Sequence, residues 1–231
     1  MAVKNYIATV VANDLVADKT YRMRLGIDDP SGLDFAPGQF VNIQVADNAR
    51  RSYSISSSPQ NKEYVETYAN SHPGGPGSKF FENAKVGQKV PLLGPLGRFV
   101  YQEQLRPVVF VATGTGITPF MSMIRFALEV LHSQRSIIVL SGFRFQMDAF
   151  GADIFADMQT KFPNLKYYMM LSKPDANWQG LKGRVTEHLD LITQSDTDVY
   201  LCGSQGMIND MESLLVTKGV PNGQIFYEQF Y

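Results

Sequence analysis

The stretch Val108-Val109-Phe110-Val111-Ala112-Thr113-Gly114-Thr115-Gly116-Ile117-Thr118-Pro119 is an apolar run that breaks into glycines and hydroxyl residues and ends on a proline. Five successive apolar residues suit a strand buried on both faces, as in a parallel sheet. Gly114 and Gly116 let the chain turn tightly and let the backbone approach a ligand. Thr118 is placed to cap a helix, and Pro119 suits its first position, where no amide donor is needed. Apolar residues at 120, 123, 124, 127, 128 and 131 continue as a helical stripe, so a helix is expected over 119–133. Free amides and the positive helix end would then face one point, which suits a phosphate. The third glycine of the common dinucleotide fingerprint is absent. The competing reading is a strand–helix turn that binds nothing.

Downstream the same rhythm repeats. Strands are expected at 136–140, 165–171, 199–202 and 225–230, and helices at 152–160 and 186–191. A helix after residue 203 buries Met207, Ile208, Met211, Leu214 and Leu215 and stops at Gly219, with Pro221 beyond. Such strand–helix alternation implies a parallel sheet. Upstream the pattern is different. Segments 6–11, 20–25, 40–45, 51–55, 64–69 and 89–93 are short and rich in β-branched or aromatic residues, with turn clusters such as Pro73-Gly74-Gly75-Pro76-Gly77 between them. In 40–45, Phe40, Asn42 and Gln44 share one face and Val41, Ile43 and Val45 the other. A short helix is expected at 79–84. The fold class is therefore two-domain: an antiparallel β-barrel over 1–103 and an α/β parallel-sheet domain over 104–231.

Composition narrows the function. Lys and Arg total 21 against 22 Asp and Glu, with no block of like charge, so nothing marks a nucleic-acid binder. The single cysteine, Cys202, excludes an intramolecular disulfide and a cluster held by four thiolates of this chain. The three histidines show no metal-ligand spacing, so no metal site is expected. The first residues alternate and lack the apolar centre of a signal peptide, and no apolar run of about 18 residues is present to span a membrane. A cytoplasmic location is the expectation.

Other segments carry candidate chemistry. In Arg50-Arg51-Ser52-Tyr53-Ser54-Ile55, strand alternation puts Arg51 and Tyr53 on one face and Ser54 on the other. An arginine can pair with a diphosphate, and a tyrosine beside it can stack on a flat ring; from these residues alone, an edge strand with a solvated arginine is the better reading. Gly74-Gly75-Pro76-Gly77-Ser78 is a second phosphate-friendly loop, or a plain turn. Val199-Tyr200-Leu201-Cys202-Gly203 sets a thiol at the carboxyl end of a buried strand, where ligands bind in parallel sheets, although a free cysteine also serves as a small buried hydrophobe.

Taken in order, these segments resemble the ferredoxin–NADP reductase superfamily across almost the whole chain. Pro37-Gly38-Gln39-Phe40 looks like its strand before the flavin motif. Arg51-Ser52-Tyr53-Ser54 matches R-x-Y-S, and Gly75-Pro76-Gly77-Ser78 its flavin-phosphate loop. Val86-Gly87 through Gly94-Pro95-Leu96-Gly97 resembles V-G-D…G-P-x-G. Segment 113–119 matches the nicotinamide-diphosphate loop, where proline is expected, and Cys202-Gly203 with Met207 matches C-G-x-x-x-M.

The resemblance implies FAD, with FMN less favoured, as cofactor and NAD(P)H as substrate. Arg51 would bind the flavin diphosphate, with Ser52 also in the flavin site; Tyr53 would pack against the ring and Ser54 would hydrogen-bond near its N5. Tyr68, Ala69, Gly75, Pro76, Gly77 and Ser78 would complete that site. Thr113, Gly114, Thr115, Gly116, Pro119, Gly203 and Met207 would hold the dinucleotide, with Cys202 at the nicotinamide. Arg144, Ser172 and Lys173 lie where the coenzyme's 2′-phosphate is sensed and lean slightly toward NADPH, but arginine at 144 serves users of either coenzyme, so the resemblance implies NAD(P)H without a choice between the two. The ending Glu228-Gln229-Phe230-Tyr231 resembles bacterial ferredoxin or flavodoxin reductases: Phe230, where tyrosine is more common, and Tyr231 would cover the flavin, and Glu228 would handle charge or a proton. The implied activity passes electrons between NAD(P)H, bound flavin and a ferredoxin, flavodoxin or oxygenase component. Two alternatives stay open: a flavin reductase that releases its product, and an electron-transfer subunit that works only within a complex.

Overall fold

The computed structural model describes residues 3–192 and 194–229. The first half forms β1 (Lys4–Ala17), β2 (Thr20–Ile27), β3 (Phe40–Ala46), β4 (Ala49–Ser54), β5 (Tyr64–Asn70), α1 (Pro76–Asn83) and β6 (Lys89–Leu96). The strands pair in the order β4-β3-β6-β1-β2-β5, every neighbour antiparallel. The two end strands, β4 and β5, also touch, so the sheet curls toward a barrel. Alternation fills its interior: Ala8 and Val10, Met23 and Leu25, Val41 and Ile43, and Val90 and Leu92 are all buried. Phe81 of α1 joins this core. The faces expected for residues 40–45 are those observed, with Val41, Ile43 and Val45 inward.

The second half forms β7 (Val108–Thr113), α2 (Thr118–Arg125), β8 (Ile137–Phe143), α3 (Ala152–Lys161), β9 (Leu165–Leu171), β10 (Leu181–Lys182), β11 (Asp198–Gly203), α4 (Gln205–Thr217) and β12 (Ile225–Gln229). Its sheet runs β10-β9-β8-β7-β11-β12, every pair parallel. Residues 108–112 of β7 are almost wholly inaccessible, as a central parallel strand requires.

By internal packing, one compact unit runs through Gln102 and takes in Thr118–His132; the other holds Glu103–Ile117 and the described residues from Ser133 on. Helix α2 belongs to the first unit because its side chains pack there. Phe120 lies 6.1 Å from Phe99, ring centroid to centroid. The Met123 methyl group sits 2.3 Å from where a Cβ on Gly38 would fall.

The structure corrects several details. The helix expected over 119–133 is α-helical only to Arg125; a π-helical turn, Phe126–Val130, follows, and the Leu131 amide bonds the Phe126 carbonyl. The wider turn takes the chain off the 3.6-residue period, and Leu131 comes out 41% exposed. Residues 186–191 hold two 3-10 turns, Val185–Glu187 and Leu189–Leu191, because His188 departs from helical angles between them. Leu214 is partly exposed, since α4 buries Met207, Ile208, Met211 and Leu215. The short strand β10 has no counterpart in the sequence reading. Phe230 and Tyr231 lie outside the described residues.

At the amino end of β11 a buried charge cluster holds the second unit. Asp198 and Arg135 are each 1% exposed by side chain and 2.8 Å apart. Arg106 donates to the same carboxylate at 2.6 Å, and Arg135 also donates to the Arg106 carbonyl at 2.8 Å. Removing one partner of a buried pair strands the other charge. Asp198→Ala is therefore expected to cost about 3–5 kcal/mol of stability, read from a shift in denaturant midpoint. A loss below about 1 kcal/mol would place the pair among weak surface contacts.

Candidate functional site

In the first unit, β4 ends on the predicted flavin motif. Alternation turns Arg51 and Tyr53 the same way, and both meet the start of α1: a Cβ built on Gly77 would lie 2.4 Å from the Tyr53 hydroxyl and 3.6 Å from Arg51 Cγ. A side chain there would have to displace the Tyr53 ring. The other side of the Tyr53 ring packs on Phe81, 4.9 Å between centroids and tilted by 59°. Helix α1 has Gly75 at its cap position, proline in its first turn, no side-chain cap and no acid in that turn. Its amino end therefore offers backbone donors and positive potential beside an exposed arginine. This cradle of glycine, arginine and half-buried ring fits the diphosphate and ring of a flavin dinucleotide.

Ser52 donates to Asn42 across the β3–β4 pair at 2.7 Å, while Ser54 points inward and is 4% exposed. Ser78 is buried on the first turn of α1. Tyr68 and Ala69 are buried on β5, the strand that touches β4. Burial pushes the Tyr53 phenol up to about 12, with Arg51 pulling the other way. Burial, reinforced by Glu66, also takes Tyr68 to about 12, against Arg22 and Arg125.

In the second unit, β7 and β11 are neighbours, and the chain leaves them toward opposite sides of the sheet order, to β8 and to β12. That is a topological switch point, where the carboxyl ends of parallel strands open a crevice. Thr113 ends β7, and Gly114–Ile117 forms a 3-10 turn before α2. Thr118 opens the helix and does not precede it, so Pro119 falls in the first turn. Gly114 has φ +54, with nothing within 4 Å of a would-be Cβ. Gly116 instead presses on β11: its Cβ would fall 2.2 Å from the Cys202 carbonyl. The Ser204 amide donates to Thr113 Oγ1 at 3.1 Å, and Ser204 caps α4 by accepting from the Met207 amide. Sequence reasoning passed over Ser204, although a serine ahead of an amphipathic helix is a helix-start signal. The open, glycine-floored turn fits a dinucleotide phosphate.

Cys202 is fully buried, with Glu228 as its register partner on β12. Burial pushes its thiol well up, and the Glu228 charge adds to that; a bond from Gly203 works the other way. It is a neutral thiol. Gly203 and Met207 are buried beside it. At the carboxyl ends of β8 and β9, the Ser172 amide bonds the Phe143 carbonyl at 3.0 Å and the Lys173 amide bonds the Arg144 carbonyl at 2.9 Å. Arg144, Ser172 and Lys173 are thus brought together, all exposed, and the Arg144 guanidinium lies 5.3 Å from the Phe145 ring centre. Among the described residues, no group of three His, Cys, Asp or Glu side chains could hold a metal ion, and no helix is long and apolar enough to cross a membrane.

Residues 7–101 match an oxidoreductase FAD-binding domain and residues 110–213 an oxidoreductase NAD-binding domain. The chain is 31% identical to the anthranilate 1,2-dioxygenase electron transfer component of Acinetobacter baylyi, over 97% of its own length and 67% of that protein. The chain belongs to the ferredoxin–NADP reductase superfamily. An Amycolatopsis cytochrome P450 reductase superposes with a TM-score of 0.92 at 25% identity, covering 99% of this chain and 70% of that one. A Neisseria gonorrhoeae ferredoxin NADP+ reductase with bound FAD and NADP shares the fold over 100% of both chains, with a TM-score of 0.82 and 21% identity. This superfamily member is a flavoprotein oxidoreductase whose cofactors are FAD and NAD(P)H.

The two raised phenols carry a sign that can be checked. Their folded values, about 12, lie above the ordinary 10, so the neutral form is favoured in the fold. The stability they contribute is complete below the ordinary value and is lost as pH rises through the folded one. Tyr53→Phe with Tyr68→Phe should flatten the fall of unfolding free energy across that alkaline window. An unchanged slope in the double variant would mean that these phenols are not the buried groups.

Proposed function

We propose that this protein takes electrons from NAD(P)H and passes them, one at a time, to a ferredoxin, a flavodoxin or an oxygenase component. What carries the reading is the presence in one chain of both cradles: Tyr53, Arg51 and Gly77 in the antiparallel unit, and Thr113 to Gly116 against Cys202 in the parallel one. The Acinetobacter relative, by its name, is such an electron transfer component for a dioxygenase. Bound flavin supplies the conversion between paired and single electrons; the protein supplies position and field.

The residues divide the work as follows. Arg51, Ser52 and the α1 amino end, with Gly75, Pro76, Gly77 and Ser78, hold the flavin diphosphate. Tyr53, Tyr68 and Ala69 bound the flavin itself, and Ser54 lies at its reactive edge. Thr113, Gly114, Thr115, Gly116 and Pro119 hold the coenzyme diphosphate. Cys202, as a neutral thiol, gives a soft uncharged contact at the nicotinamide, framed by Gly203 and Met207, with Glu228 beside it. Arg144, Lys173 and Ser172 form a cationic, hydroxyl-bearing group suited to a 2′-phosphate, which favours NADPH. Phe230 and Tyr231 are assigned to the flavin face on the sequence alone. The single buried cysteine, with no disulfide to form, agrees with a cytoplasmic setting.

Steady-state kinetics with both coenzymes against a panel of acceptors tests this reading. The purified protein should retain FAD and reduce a protein acceptor without loss of flavin. Turnover that requires added free flavin, and releases it reduced, would overturn the proposal. In the same assay, Arg144→Ala combined with Lys173→Ala should lower kcat/KM for NADPH roughly 10- to 100-fold, and leave NADH nearly unaffected. Equal losses with both coenzymes would remove the 2′-phosphate assignment.

A further inference from the structure

Directly after the flavin motif lies an unusual segment. Ser54, Ile55, Ser56 and Ser57 are four consecutive buried residues, none more than 4% exposed, and three of them are polar. Beyond Ser54, the last residue of β4, the β3–β4 ladder ends, so the buried backbone groups of residues 55–57 must find other partners. The Ile55 amide donates to the Gln39 carbonyl at 3.0 Å, and the Ser56 amide to the Glu66 carbonyl at 2.8 Å. The Ser56 hydroxyl donates to the same Glu66 carbonyl at 3.0 Å, and the Glu66 amide donates to Ser57 Oγ at 3.2 Å. These bonds tie the segment to the start of β3 and to β5.

The Ser56 carbonyl is served differently. It accepts from Arg125 Nη1 at 2.8 Å. Arg125 is the last residue of α2, the helix that begins immediately after the Gly114–Ile117 turn, and the π-helical turn starts at the next residue. Its charge also reaches the Tyr68 phenol, which shares β5 with Glu66. A guanidinium on a buried carbonyl is a charge-assisted bond with a fixed planar geometry. It adds, from α2, a hold on the stretch that follows Ser54 beyond those given by Gln39 and Glu66.

We propose that Arg125 is a positioning residue for the flavin: it fixes Ser54–Ser57 through the Ser56 carbonyl, and so ties the flavin motif to the helix that starts at the coenzyme-phosphate turn. The proposal rests on the flavin assignment of Ser54 and Tyr53. Its consequence is coupling in both directions. Without the guanidinium, the serine segment relaxes and binds FAD less well. With it, a nucleotide at the Gly114–Ile117 turn perturbs the flavin through α2.

The experiment uses full-length protein stripped of flavin, titrated with FAD and followed by quenching of flavin fluorescence. Reconstituted samples are then titrated with NADP+ and followed by the visible difference spectrum of the flavin. Arg125→Met removes the donors and keeps an extended side chain; Arg125→Lys keeps the charge and a donor. Arg125→Met should weaken FAD binding about tenfold or more and reduce the NADP+-induced difference spectrum, and Arg125→Lys should recover much of both. Should the Met variant fail to fold, Arg125→Gln takes its place in the same comparison, with binding expected to fall below that of the Lys variant. Binding of FAD within about twofold of wild type, together with an unaltered difference spectrum, would overturn the proposal. Wild-type protein that takes up no FAD would overturn the flavin assignment, and the role of Arg125 with it.

Discussion

At the carboxyl ends of β7 and β11, two stretches of backbone approach so closely that no side chain fits between them. A Cβ on Gly116 would meet the Cys202 carbonyl at 2.2 Å, and one on Gly203 would meet Thr113 Oγ1 at the same distance. These strands are the pair at which the parallel sheet changes direction, so their loops would ordinarily diverge. Here the bond from the Ser204 amide to Thr113 Oγ1 stitches them together at the base. The crevice thus has a floor of main chain, whose position does not depend on rotamers. A floor of main chain held in this way has little conformational freedom left to lose on binding a ligand.

The antiparallel unit uses the same device on a smaller scale. Gly77 leaves room for the Tyr53 hydroxyl, and Tyr53 is pinned from the other side by Phe81, a residue of the same helix. Helix α1 therefore does two things through one turn of chain. It leaves its amino end without a side-chain cap, and it supports the ring that lies beside that end. Arg51 lies on the same face and needs no further arrangement, because strand alternation already sets it beside Tyr53. The hydrophobic core beneath, from Val41 and Ile43 to Phe81, makes this geometry stiff.

The strand periodicities read well from sequence because each strand buries one face or both, and burial writes itself into residue type every second position. Val41, Ile43 and Val45 are the plain case. Helix 119–133 read less well: apolar spacing shows that a helix buries a face, but it does not show where the hydrogen-bond ladder widens into a π turn. Leu214 misled for a related reason, since α4 reaches its burial with a narrower stripe than its apolar residues suggest. At the site, alternation could say that Arg51 and Tyr53 share a face; it could not say that Gly77 lies over them. The pairing of Arg144 with Lys173 depends on the register between two parallel strands, which no local pattern encodes. Arg125 carries no signal at all in the sequence, where it looks like any cation within the helix expected over 119–133.

The cysteine shows why geometry changes what a motif means. A thiol at the end of a central strand beside a redox cofactor invites the reading of a nucleophile or a redox-active sulfur. Reactive cysteines, however, sit partly exposed in electropositive surroundings that favour the thiolate. Cys202 has the opposite environment: it is wholly buried, and its strand neighbour is Glu228. Both effects hold the proton on sulfur, and they outweigh the bond from Gly203 that favours its loss. Oxidation and disulfide exchange start from an accessible thiolate, so this position keeps a polarisable atom buried at the end of β11 without the chemistry that a thiolate would bring. Glu228 then has a use that does not require it to move a proton: its charge adds to burial in keeping the proton on the neighbouring sulfur.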